Sequence, residues 1–105
     1  MAEFSYRFRE CGPAEIRREF NDRRFMERAQ QGEFTLRVKR SMRGVRAVSE
    51  PSGTVSQLVE IVDAAGVSVA VVHMYLRPDG SIGGSGRPDP KRLLIDDEVW
   101  FTRGP

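Results

Sequence analysis

The segment His73 to Arg92 reads H-M-Y-L-R-P-D-G-S-I-G-G-S-G-R-P-D-P-K-R. It holds the sole histidine, one of two tyrosines and one of two lysines. On a strand, His73, Tyr75 and Arg77 project to one face, because alternate residues share a face. The turn residues Pro78-Asp79-Gly80 then send the chain back. His73, Tyr75, Arg77, Ser85, Arg87 and Lys91 are therefore expected to converge at one end of a sheet. Metal-independent cleavage of RNA needs a group to take the 2′-hydroxyl proton and another to protonate the leaving oxygen. It also needs cations around the pentavalent phosphate. His73 or Tyr75 suits the proton transfers, and Arg77, Arg87 or Lys91 suits the phosphate. The candidate catalytic set is His73, Tyr75, Arg77 and Lys91. The plainer alternative makes His73 a satisfied sheet histidine and Tyr75 half-buried core, with Ser85 and Arg87 lining a surface loop.

A second cluster is purely electrostatic. Thr35 to Val48 carries Arg37, Lys39, Arg40, Arg43 and Arg46 with no acid. Such a stretch can neutralise a phosphate backbone and release its counterions. A solvated strand face followed by a loop is the alternative. The candidate nucleic-acid contacts are Arg37, Lys39, Arg40, Arg43 and Arg46, with Ser85, Arg87 and Arg92 from the later loop. Of the basic residues, only Lys39 and Lys91 are lysine. Arginine forks phosphates and stacks on bases, although a GC-rich genome would enrich it equally.

Other motifs point to less. Gly80 to Gly86 matches neither a P-loop nor a dinucleotide fingerprint, although its amides can form an anion nest. Asp96-Asp97-Glu98 lacks the spacing of a calcium loop and reads as a solvated acidic turn. Cys11 beside Gly12 starts a helix, where a thiol can be activated, but buried packing is the favoured reading. Phe4, Tyr6, Phe8, Phe20, Phe25 and Phe34 have core spacings. A base-stacking platform would need some of them among the arginines, and the alternation with Arg7 and Arg9 argues against that. No metal or cofactor motif stands out, and none is expected.

The elements that must position these groups follow from periodicity. Phe4, Tyr6 and Phe8 alternate with Ser5, Arg7 and Arg9, which predicts a strand with its aromatics on the buried face. Gly12, Pro13 and Glu15 mark a helix start. The helix is expected to run to Gln30 and stop at Gly32, with a break allowed at Asn21-Asp22. Phe34, Leu36 and Val38 alternate with Thr35, Arg37 and Lys39 in a second amphipathic strand. Residues 41–54 read as a loop with a short strand at Val45–Val48. Val55–Asp63 and Val67–Leu76 read as strands, the latter central and buried on both faces. Ser81-Ile82-Gly83 begins a return strand, Asp89-Pro90 caps one helical turn through Leu94, and Glu98–Thr102 is a last strand.

The expected fold is α+β, a short helical layer on an antiparallel sheet of about four to six strands in the order β-α-β-β-β-(β). The chain has 105 residues, which favours a single domain spanning 1–105. Residues 1–50 hold 12 basic and 8 acidic side chains, and residues 51–105 hold 5 and 7, which together give the net charge of +2. One cysteine excludes an internal disulfide or a cysteine-based zinc cage. No apolar run spans a bilayer and no signal peptide is evident, so a cytoplasmic location away from membranes is expected.

A helical segment followed by an antiparallel meander, with His73, Tyr75 and arginines on the sheet, resembles the layout of small bacterial ribonuclease toxins of the RelE and colicin type. That resemblance implies RNA as the substrate. Three functions are thus expected in order: an RNA-binding domain, a metal-independent ribonuclease, and a non-catalytic module that binds a protein through a sheet edge or through residues 41–54.

Overall fold

The computed structural model describes residues 6–43 and 50–103. The elements in chain order are β1 (Arg7–Glu10), α1 (Pro13–Asp22), α2 (Phe25–Gln30), β2 (Thr35–Met42), β3 (Val55–Val62), β4 (Ser68–Leu76), β5 (Asp89–Ile95) and β6 (Glu98–Phe101). The α+β expectation holds: two short helices pack on a six-stranded sheet of order β1-β6-β5-β4-β3-β2. From β2 to β6 each strand pairs antiparallel with the next. The edge pair β1–β6 is parallel, so the sheet is mixed. Parallel neighbours need a long crossover, and here the helices and the whole meander supply it. Phe4, Arg46 and the expected strand at Val45–Val48 lie outside the described residues.

Helix α1 begins as its sequence predicts, with Gly12 as N-cap, Pro13 in the first turn and Glu15 near the positive end of the dipole. The break comes at Arg23-Arg24, two residues beyond the expected site. Arg24 adopts φ 58° and precedes α2 in the left-handed region. That residue explains why no single apolar stripe runs through this stretch. It reorients the chain so that Phe25 stacks on Phe20 at 5.5 Å and on Phe34 at 5.8 Å. Ile16, Phe20 and Phe25 then meet Val59, Ile61, Ala70, Val72, Leu93 and Ile95 from one face of the sheet, forming the core.

Four local expectations fail. Asp89 to Ile95 is a strand and not a helical turn. Leu93 and Ile95 are buried alternately, and the segment fills the gap between β4 and β6. Pro90 is tolerated because the register slips there, from Val71↔Arg92 to Val72↔Pro90, as at a bulge. The aromatics of the first strand are on the wrong side: Phe8 is 70% exposed and Tyr6 38% exposed. Cys11, on the Arg9 side of the strand, is the residue that reaches the core, and the Arg9 guanidinium stacks 4.1 Å over Trp100. Leu36 and Val38 are exposed although their register partners Ile61 and Val59 are buried. Strand β2 is an edge, and the helical layer, packed on β5, does not extend over it. The expected return strand at Ser81-Ile82-Gly83 shrinks to one bridge, Leu76↔Ile82.

The core depends on Phe20 as the largest side chain sealed between helix and sheet. Phe20→Ala is expected to cost about 3–5 kcal/mol, read as a lower midpoint of chemical denaturation. A loss below about 1 kcal/mol would contradict this packing.

Candidate functional site

The site forms where β4 outruns its neighbour. The β4–β5 ladder ends at His73↔Asp89. Beyond that point β4 is met by its own returning chain: Gly83 N donates to Tyr75 O at 2.8 Å and Arg77 N to Ser81 O at 2.9 Å. Between Gly84 and Arg87 the chain swings away before rejoining the sheet at Asp89. This departure opens a cleft of about 760 Å³ lined by His73, Tyr75, Ser85, Arg87, Lys91 and Asp89, with Arg17 and Asn21 of α1 on its far wall.

Five of the six residues expected to converge do so in this cleft, and Arg77 does not line it. Arg77 Nε donates at 2.8 Å to the Glu50 carboxylate, whose side chain is 2% exposed. The same carboxylate accepts from Gly84 N at 2.6 Å. Glu50 thus ties the end of β4 to the start of the swinging loop. The Arg77 guanidinium, and then the Gly84 amide, hold its carboxyl below the usual carboxylate range. Gly83 is required for closeness: a Cβ there would lie 2.5 Å from the Glu50 carboxylate. Arg77 therefore supports the loop from outside the cleft.

His73 is half-buried. Its ring meets Tyr75 edge-on at 4.8 Å, and Ser56 Oγ lies 2.7 Å from its Nε2. A hydroxyl both donates and accepts, so Ser56 fits either neutral tautomer. Burial lowers the His73 pKa from its ordinary 6.5, and Lys91 lowers it further, while Asp89 opposes them. The imidazole is therefore neutral at pH 7 and has a lone pair to accept a proton. Lys91 Nζ donates to Asp89 at 2.9 Å, and Arg17 approaches the same carboxylate at 3.6 Å. Arg87 reaches across to Asn21 at 3.4 Å. Two cations thus meet the Asp89 carboxylate, and a third, Arg87, is held against α1 by Asn21.

The second cluster divides. Arg37 is held by Glu60, with Nε 2.9 Å from the carboxylate. Lys39, Arg40 and Arg43 are exposed. Arg40 pairs in register with Leu58, which pairs with His73, so these three share one row of the uncovered face. Arg92 is exposed on the same face, between Phe101 and Val71. Cys11 is buried, donates to Phe101 O at 3.4 Å, and has its pKa raised chiefly by burial, which suits packing. Asp96 and Asp97 form a left-handed hairpin turn, φ 49° and 63°. Among the described residues no group of His, Cys, Asp and Glu is arranged to hold a metal ion.

Sequence reasoning missed Glu50, Ser56, Asp89, Arg17 and Asn21. Arg17 and Asn21 had a signal: they are four apart on a helix, each one residue after buried Ile16 or Phe20. Glu50 and Ser56 had none: strand pairing brings Ser56 beside β4, and the connection leading into β3 carries Glu50 to the end of it.

Two acid-side effects follow. The His73 pKa is depressed by folding, so the unfolded chain takes up the proton first as pH falls. Its contribution is full above 6.5 and declines below it. His73→Gln should flatten the thermal midpoint between pH 7 and 5. Glu50 contributes above its ordinary 4.5 and loses this as pH falls through that region, so Glu50→Gln should be destabilised mainly at neutral pH. Gly83→Ala should cost about 1–3 kcal/mol by overpacking against Glu50. A Gly83→Ala protein of unchanged stability would contradict the Glu50 clasp. No family model, curated protein or solved structure matches the chain, and the geometry of the cleft is what a functional reading stands on.

Proposed function

We propose that the protein binds RNA, with the His73 cleft as the centre of the site. The observation that carries this reading is the meeting of His73, Tyr75, Arg87 and Lys91 in one open concavity, joined by Arg17. Arg87 and Arg17 supply forked donors for phosphate oxygens, and Lys91 a point charge. The row from His73 to Arg40 links the cleft to the basic strand β2. Fluorescence anisotropy with labelled RNA at low and high salt tests it. Binding should weaken steeply with salt, and Lys91→Ala or Arg87→Ala should each reduce the salt slope by about one phosphate contact. Absence of binding at about micromolar protein in low salt would overturn the reading.

The neutral imidazole favours a second reading, metal-independent cleavage in the same cleft. His73 accepts the proton of a 2′-hydroxyl, and the 2′-oxygen attacks the adjacent phosphorus. The 5′-oxygen leaves with a proton from Tyr75, giving a 2′,3′-cyclic phosphate and a 5′-hydroxyl. Arg87 and Lys91 stabilise the charge on the pentavalent phosphate. RNA incubated with the protein in EDTA should yield cyclic-phosphate ends. His73→Ala should lower the rate by about 10²- to 10⁴-fold, and the rate should rise with pH through a region below 6.5, where His73 loses its proton. Equal cleavage by wild type and His73→Ala, or none by either, rejects this reading and leaves binding standing.

A further inference from the structure

We infer that the uncovered face of the sheet is a track for single-stranded RNA that leads into the His73 cleft, an inference that rests on the RNA reading above. The helices lie on the opposite face, and the uncovered face is crossed by one continuous row. In register it runs Glu10, Phe101, Arg92, Val71, Glu60, Arg37, one residue from each strand. Three hollows on and beside this face share walls. Lys91 lines both the His73 cleft and a shallower hollow of about 270 Å³ that includes Lys39 and Phe101. Arg92 lines that hollow and a third, of about 350 Å³, whose far wall is Tyr6 and Phe8. The three hollows thus adjoin at Lys91 and at Arg92 between His73 and Phe8, and Glu60, held by Arg37, also lines the third.

The chemistry along this path alternates as a single strand requires. Lys39 and Arg92 stand beside Val71, Leu58 and Phe101. Among the described residues neither cation has a carboxylate within ion-pair distance. At the end, Phe8 offers an aromatic face that is 70% exposed. Unpaired bases stack on such rings while cations follow the backbone, and a duplex hides its base faces from them. From β4 to β1 is three strand spacings, about 14 Å, and the row of Phe8, Val99 and Leu94 lies about four residues, about 13 Å, along β4 from His73, so a strand must span about 19 Å beyond His73 to reach Phe8. A protein partner would need acids matching Lys39 and Arg92 and would leave no role for the continuity with His73.

Anisotropy with labelled single strands of about three and about ten nucleotides, and with a duplex of the longer sequence, tests the track. The longer single strand should bind at least about tenfold tighter than the shorter one and than the duplex. Phe8→Ala should weaken the longer strand by about 5- to 150-fold, the equivalent of one base stack. It should leave the shorter strand unaffected, and Phe8→Trp should restore the loss. Circular dichroism should be unchanged, since Phe8 is outside the core. Equal affinity for both lengths, duplex binding as tight as single-strand binding, or indifference to Phe8→Ala each overturns the track. In those cases a salt-dependent affinity sensitive to Lys91→Ala keeps the cleft as an RNA site. Absence of binding to every oligonucleotide overturns both.

Discussion

Two helices of ten and six residues must shelter a six-stranded sheet. A ten-residue helix is about 15 Å long, and six strands measure about 24 Å across. Coverage is therefore confined to the middle of one face, where α1 packs on β5. Everything distinctive about the molecule follows from that shortage. The edge strand β2 keeps Leu36 and Val38 exposed, β1 keeps Phe8 exposed, and the face carrying His73, Arg40 and Arg92 has no second layer. A second helical layer would have sealed His73 away from any ligand.

Within that frame the cleft is held open by one buried carboxylate. The exposed ion pairs Arg23–Glu19 and Arg9–Glu15 contribute little, since water screens them. Glu50 is different in kind: it is enclosed and is met by the Arg77 guanidinium and the Gly84 amide. Removing it would leave the half-buried Arg77 guanidinium without its partner and free the exposed Gly84 amide. The loop that carries Ser85 and Arg87 is thereby anchored at its first residue, while its far end is anchored by Asp89 in the sheet. Between two fixed ends, the short glycine-rich stretch can stand away from β4 without closing over it.

The charge pattern changes meaning once partners are known. Arg37 and Arg77 look as available in sequence as Arg40 and Arg92. Each instead meets a carboxylate more than twenty residues away, Glu60 or Glu50. Lys39, Arg40 and Arg92 keep their charge on the uncovered face. A basic first half and a slightly acidic second half therefore do not describe two poles of the protein. The acids of the second half neutralise part of the first, and the residue of that cancellation is a band of cations leading to the cleft.

Local chemistry determined much of the fold by itself. Alternation placed β2, β3 and β4, Pro13 started α1, and Pro78-Asp79-Gly80 turned the chain, because these signals act between neighbours in sequence. The gathering of His73, Tyr75, Ser85, Arg87 and Lys91 was legible for the same reason, as one strand, one turn and one loop suffice to produce it. Tertiary structure alone decided the rest. Period-two alternation distinguishes two faces but does not say which is buried, and only the position of the helices sent Phe8 outward and Cys11 inward. Asp89-Pro90 has the local look of a helix cap, and only the vacancy between β4 and β6 made it a strand. Ser56, the partner of His73, is set by strand pairing, and Glu50, the partner of Arg77, by the path of the chain into β3, both long-range contacts whose residues carry no mark of one another in sequence.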